Sequence, residues 1–166
     1  MNPITYAYLE TTNYCNLDCS FCNRMDAIGP LKHMSLDDWG KLLDGIKHHP
    51  IEEAKLMGMG EPLLHPQFDE VCRMFKETFP KSKLVVATNC QYNIKEGLEF
   101  RRKFQECMKY IDMLYFSIDG YEESYERDRA PAKWSKLIKF LKDFETINHY
   151  DCEIVVNYVV NAYNVY

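Results

Sequence analysis

The chain has 166 residues, 46% hydrophobic and 14% aromatic, and a formal net charge of −5 at pH 7. That is enough for one domain with a real core, and the acidic balance argues against a broad electrostatic footprint for DNA or RNA. No apolar run approaches the ~20 residues of a membrane span, and the opening MNPITYAYLE lacks the basic and apolar regions of a signal peptide.

In chain order, residues 4–12 read as a first strand that ends at a cysteine-rich loop. Ser35 opens a helix, with an acid three residues on at Asp38 to suit the first turn. That helix runs to about His48, with Trp39, Leu42, Leu43 and Ile46 on one face. Residues 53–57 form a short second strand, followed by the turn GMGEP. Residues 67–79 are a helix, 84–88 a buried third strand, 93–109 a helix, 113–118 a fourth strand, 132–147 a helix and 153–160 a fifth strand. Strands alternating with helices imply a parallel sheet with helices outside. Ligands in such sheets bind beyond the carboxyl ends of the strands, and each notable motif of this chain follows a strand.

The first of these motifs is TTNYCNLDCSFCNR, which sets Cys15, Cys19 and Cys22 three and two residues apart. A short loop can aim three thiolates at one soft metal centre. Three are one fewer than the four that usually fill an iron–sulfur cluster, so one iron stays open. The other reading is a zinc knuckle with His33 or Cys90 as fourth ligand. The remaining cysteines of the seven, Cys72, Cys90, Cys107 and Cys152, read as small buried hydrophobes. Together these features suit a reducing cytoplasm.

The Cx3Cx2C spacing, with the aromatic Phe21 before the third cysteine, resembles the radical S-adenosylmethionine superfamily. Three further motifs resemble it in the same order. Gly60, Glu61 and Pro62 match the GGEP turn, with Met59 in place of a glycine. Thr88, Asn89 and Cys90 match TNG, with cysteine in the glycine position. Ser117, Asp119 and Gly120 match SxDG, followed by Arg129, with Arg127 as competitor. The style is closest to the SPASM-like branch that modifies peptides, sugars and small metabolites.

The resemblance implies a partial parallel (β/α) barrel over residues 1–166, with five strand–helix units present and a sixth absent. It implies a 4Fe–4S cluster on Cys15, Cys19 and Cys22, which reductively cleaves S-adenosylmethionine to a 5′-deoxyadenosyl radical. That radical would take hydrogen from an organic substrate. Phe21, Gly60, Glu61, Asn89, Ser117, Asp119, Arg129 and Asn157 would line the cofactor. Glu61 and Gly60 would serve the methionine amino group, and Arg129 its carboxylate. Asp119, sharing a strand face with Ser117, would be placed to offset the sulfonium charge. His65 and Cys90 read as structural. Implied partners are a small-molecule or peptide substrate, an electron donor such as flavodoxin or ferredoxin, and a chain or oligomer contact over the open sheet edge. Neither nucleic acid nor a membrane is expected. The alternatives are a glycyl-radical activating enzyme, an RNA-modifying enzyme (against which the acidic balance counts), a non-catalytic iron–sulfur or zinc scaffold, and one half of a split enzyme.

Overall fold

The computed structural model describes residues 3–27, 29–147, 150–162 and 164–165. Met1 and Asn2, the first residues of the opening stretch, lie outside them.

Five strands, β1 (Ile4–Tyr8), β2 (Ile51–Leu56), β3 (Lys83–Thr88), β4 (Met113–Ser117) and β5 (Glu153–Asn157), form one sheet in sequence order. Every adjacent pair is parallel. In chain order the helices are α1 (Arg24–Ala27), α2 (Leu36–Ile46), α3 (Phe68–Thr78), α4 (Leu98–Met108), α5 (Glu123–Asp128) and α6 (Trp134–Phe144), with a 3-10 turn at Pro62–Leu64. This is the open α/β partial barrel expected from the alternation.

Register assigns the two faces of the sheet. Ala54 pairs with Leu84, Val86 with Leu114, and Thr88 with Phe116. All of these but Thr88 share a buried core with Trp39 and Leu43 of α2, Phe68, Val71 and Phe75 of α3, Phe104 of α4, and Leu137 and Phe140 of α6. Side chains one residue out of step point to the other face. There Tyr6, Tyr8, Glu53, Lys55, Lys83 and Tyr115 stand, with Lys55 Nζ 3.2 Å from Glu53 and 4.9 Å from the centre of the Tyr6 ring. The apolar period of each helix thus builds the outer layer, while the inner face mixes these polar and aromatic groups with Val85, Ala87, Met113 and Val155.

Ser35 caps α2 as its position suggests, its hydroxyl accepting the Asp38 N–H at 3.1 Å. The apolar face of that helix is Trp39 and Leu43, fully buried, with Leu42 and Ile46 half-buried beside them. Several elements are shorter than their sequence patterns. β1 stops at Tyr8, because Glu10 turns onto the Gly58–Gly60 turn and Thr12 pairs antiparallel with His33. β5 stops at Asn157, the partner of Ser117, where β4 ends. The next N–H but one, that of Val159, is taken by the Asp119 side chain instead. α4 starts only at Leu98, after a turn closed by the Gly97 N–H on Asn93 O. The short helices α1 and α5 have no periodic signal long enough to read in advance.

Both sheet edges carry exposed apolar side chains, Tyr6 and Tyr8 on β1, and Ile154 and Val156 on β5. Among the described residues no helix is long and apolar enough to cross a membrane.

Candidate active site at the strand ends

The loop after β1 carries the three cysteines, and the rest of the chain holds it in place. The Asp18 N–H bonds Ala130 O at 2.6 Å, and the Ser20 N–H bonds Asp128 O at 3.0 Å. Arg24, buried on α1, donates to Leu17 O at 3.4 Å. These bonds lay the loop against the end of α5, and so bring Arg129 beside it.

Cys15, Cys19 and Cys22 line one cleft of about 180 Å³ with Phe21, the Gly58–Pro62 turn, Thr88, Asn89, Ser117 and Arg129. Sites far apart in sequence therefore meet at the carboxyl ends of β1 to β4. The sulfurs share this wall without closing on one ion: among the described residues, no three His, Cys, Asp or Glu side chains are grouped to hold a single metal. The zinc-knuckle reading also lacks its fourth ligand. His33 bonds Thr12 Oγ1 at 2.8 Å and stacks on Tyr14. Cys90 is fully buried against Thr88 O. Burial pushes the Cys15 thiol up and that of Cys19 to about 11, the nearby Arg129 guanidinium opposing the shift at Cys19. A metal centre must therefore displace thiol protons on binding.

The GMGEP turn folds back over the cysteine loop. The Glu61 N–H bonds Tyr14 O at 2.7 Å. Gly60 approaches so closely that an added Cβ would lie 2.0 Å from Thr12 O, which excludes every other residue without a shift of backbone. Glu10, which the sequence reading passed over, accepts the Met59 and Gly60 N–H groups. Only an acid at the end of a strand signals it.

Glu61 is buried, and its carboxylate accepts the Asn89 N–H at 2.8 Å and the Leu63 N–H at 3.4 Å. It lines the cleft and also ties the GMGEP turn to the end of β3. Burial, outweighing these bonds, raises its pKa from 4.5 to about 7. The sign follows directly. Below pH 4.5 the carboxyl is protonated in both states. Between pH 4.5 and about 7 only the unfolded chain ionises, so stability falls as pH rises, by up to about 3 kcal/mol. Glu61→Gln does not titrate. Urea unfolding of both proteins from pH 4.5 to 8 should therefore give a difference that drifts against wild type as pH rises; a flat difference would show a solvated Glu61.

Cys90 stands in the left-handed region at φ 61, the conformation a glycine would serve there. It is packed into the core rather than turned to the cleft, as the structural reading expected. His65 is likewise structural, its two ring nitrogens taken by Met34 O and the Gln67 N–H.

Ser117 and Arg129 are nearly buried and reach the cleft. Arg129 sits over Phe21, its guanidinium 5.6 Å from the ring centre. Asp119 is a correction. Its side chain is not on the cleft wall but fully buried behind it, accepting Arg129 Nε at 2.5 Å and the Val159 N–H at 2.7 Å. The strand ends at Ser117, so the alternation that would have turned Asp119 to the same side as Ser117 does not extend to it. Arg127 bonds Asp128 and lies outside the cleft lining, which leaves Arg129 as the arginine of the site. Asn157 is exposed on the edge strand and also outside the lining. Its carbonyl accepts the Ile118 N–H at 3.0 Å.

Residues 9–160 match the family model described as the Radical SAM superfamily. A tungsten-containing aldehyde ferredoxin oxidoreductase cofactor-modifying protein of Pyrococcus furiosus is 32% identical over 117 residues, covering 69% of this chain and 30% of that protein. The sporulation killing factor maturation protein SkfB of Bacillus subtilis is 23% identical over 161 residues, covering 94% of this chain and 36% of that one. The crystal structure of Streptococcus suis SuiB bound to S-adenosylmethionine superposes with a TM-score of 0.67 at 22% identity, over 92% of this chain and 33% of that one; this is a likeness of fold. The chain spans about a third of the length of these curated relatives. The family match runs from the residue after β1 to beyond β5, and the chain belongs to the Radical SAM superfamily, whose enzymes use a 4Fe–4S cluster and S-adenosylmethionine.

Proposed function

We propose that Cys15, Cys19 and Cys22 hold a 4Fe–4S cluster in the cleft, that the groups around them hold S-adenosylmethionine, and that the pair begins radical chemistry on a peptide, sugar or small metabolite. The observation that carries this reading is the meeting of three cysteines, a glycine-rich turn, Asn89, Ser117 and Arg129 on one cleft. The donor set fits the group: three thiols, one short of a full set, suit a cluster with one iron left for a cofactor. When bound, cluster and cofactor supply a one-electron cleavage of the sulfonium C–S bond and a carbon radical that takes hydrogen from the substrate.

The chain's own residues hold and orient. Arg129, kept in place by Asp119, presents a guanidinium fork suited to a carboxylate. Phe21 lies under the guanidinium on the same cleft wall. The Gly60–Glu61 segment offers close backbone approach, braced by Glu10 and Tyr14. Ser117 lines the cleft wall with Asn89 and Arg129 and offers a hydroxyl there. Asp119 acts through Arg129, and Asn157, exposed at the edge, is a candidate only for groups that extend past Ser117. Relatives named for modifying a cofactor and for maturing a killing factor support a small-metabolite or peptide substrate. An electron donor such as flavodoxin or ferredoxin supplies the electron.

The test is anaerobic. The chain is reconstituted with iron and sulfide and mixed with dithionite and S-adenosylmethionine, and 5′-deoxyadenosine is quantified by mass spectrometry. Enzyme-dependent product is the expected result. A bound, reducible cluster that yields none would make the chain a scaffold or one half of a split enzyme.

A further inference from the structure

We propose that Asn89 is a tuning residue for the cluster: its side-chain amide donates to the sulfur of Cys15 and raises the potential at which the cluster takes its electron. The inference rests on the cluster assignment above.

Asn89 Nδ2 lies 2.7 Å from Asn16 Oδ1 and 3.9 Å from Cys15 Sγ. An amide nitrogen carries two hydrogens, one for each acceptor. Its oxygen cannot exchange places with it, because Asn89 Oδ1 accepts the Gln91 N–H at 3.0 Å. The backbone of Asn89 is held as well: its N–H bonds Glu61 Oε2 at 2.8 Å, and its carbonyl accepts the Tyr125 hydroxyl at 3.4 Å. The amide is therefore locked toward Cys15 from its place on the cleft wall. The Leu17 N–H adds a second donor to the same sulfur at 3.5 Å. Among the described residues, Cys15 is the one cysteine of the three whose sulfur accepts hydrogen bonds.

Reduction puts added negative charge on the cluster and its sulfurs. A fixed N–H dipole stabilises that state more than the oxidised one, and does so strongly where water is excluded. Asn89 is only 4% exposed. The three ligands are thus unequal, and the iron on Cys15 is the one this chain distinguishes.

The test uses reconstituted wild type, Asn89→Ala and Asn16→Ala in EPR-monitored potentiometry, with resonance Raman of the Fe–S(Cys) stretches. Asn89→Ala should move the midpoint to more negative potential and its Fe–S(Cys) stretch to higher frequency. Asn16→Ala weakens the anchor of the loop but keeps the donor on Cys15, and should retain the wild-type midpoint. Asn89→Ser keeps an acceptor for the Gln91 N–H but cannot reach Cys15. It should follow Asn89→Ala, and is read instead if Asn89→Ala does not load. An unchanged midpoint in the Asn89 variants, or an equal shift in Asn16→Ala, overturns the proposal while the cluster assignment stands. A wild-type chain that takes up no 4Fe–4S cluster overturns the assignment itself.

Discussion

Cys19→Ala will leave the chain unable to retain a 4Fe–4S cluster, and 5′-deoxyadenosine formation will fall to background. Cys19 is half-buried on the cleft wall with Cys15, Phe21 and Arg129. Two thiolates cannot hold a cluster that needs three, and among the described residues no fourth thiol or imidazole lines the cleft. Cys90 is locked in the core, His65 has both ring nitrogens engaged with Met34 and Gln67, and His33 is held by its Nδ1 on Thr12 and lies outside the cleft lining. Loss of outer-shell partners alone costs a metal site roughly 10–100-fold, so loss of a ligand should exceed 100-fold or so in product. The substitution itself should cost little in folding, because the Cys19 side chain belongs to the loop and only packs at the margin of the core. The measurements are iron and sulfide content, the brown absorbance of the reconstituted protein, and deoxyadenosine yield. A Cys19→Ala protein that keeps both its colour and its product would remove the cysteine assignment altogether.

Asp119→Ala should lower the unfolding free energy of the metal-free protein by about 3–5 kcal/mol, the range for breaking one side of a buried ion pair. The carboxylate is fully buried and meets both Arg129 Nε and the Val159 N–H. Removing it strands a guanidinium that is only 7% exposed and orphans a backbone donor. It also removes the side-chain link from the end of β4 to Val159 beyond β5, leaving the bond of Asn164 to the Asp119 carbonyl. Asp119→Asn keeps a neutral acceptor, and its loss should be about 2 kcal/mol. Urea unfolding read by circular dichroism gives both values. A loss below about 1 kcal/mol for the alanine variant would mean that water reaches the pair. Since Arg129 is set by this contact, the same variants should weaken S-adenosylmethionine binding without changing cluster content. That separates a positioning role from a ligand role.

These two residues mark what was legible in advance. Cysteines at fixed short spacing lie on one loop, so local geometry alone brings them together, and their chemistry is written in residue type. The strand–helix alternation and the helix faces were equally local: Trp39 and Leu43 face the core because 3.6-residue periodicity requires it. Glycine at position 60 was readable as a motif, but the Thr12 carbonyl that forbids any other residue there comes from the loop after β1, nearly fifty positions away.

Tertiary structure decided the rest. Asp119 and Ser117 looked alike, two positions apart on one strand, until the end of β4 at Ser117 removed the alternation and the Arg129 side chain claimed the acid. Asn89 stands on the cleft wall, but the direction of its amide was set by the Gln91 N–H on its Oδ1 and by Glu61 on its backbone N–H. Glu10 and Arg24 carried no motif, yet one braces the glycine turn and the other the cysteine loop. The sequence by itself determined the family and the layering of the fold, and it set the three cysteines on one loop, because each follows from residue type and short-range period. Which polar side chains face the cleft and which hold those that do was set by long-range hydrogen bonds, since a buried polar group must find its partner wherever the packed chain places one.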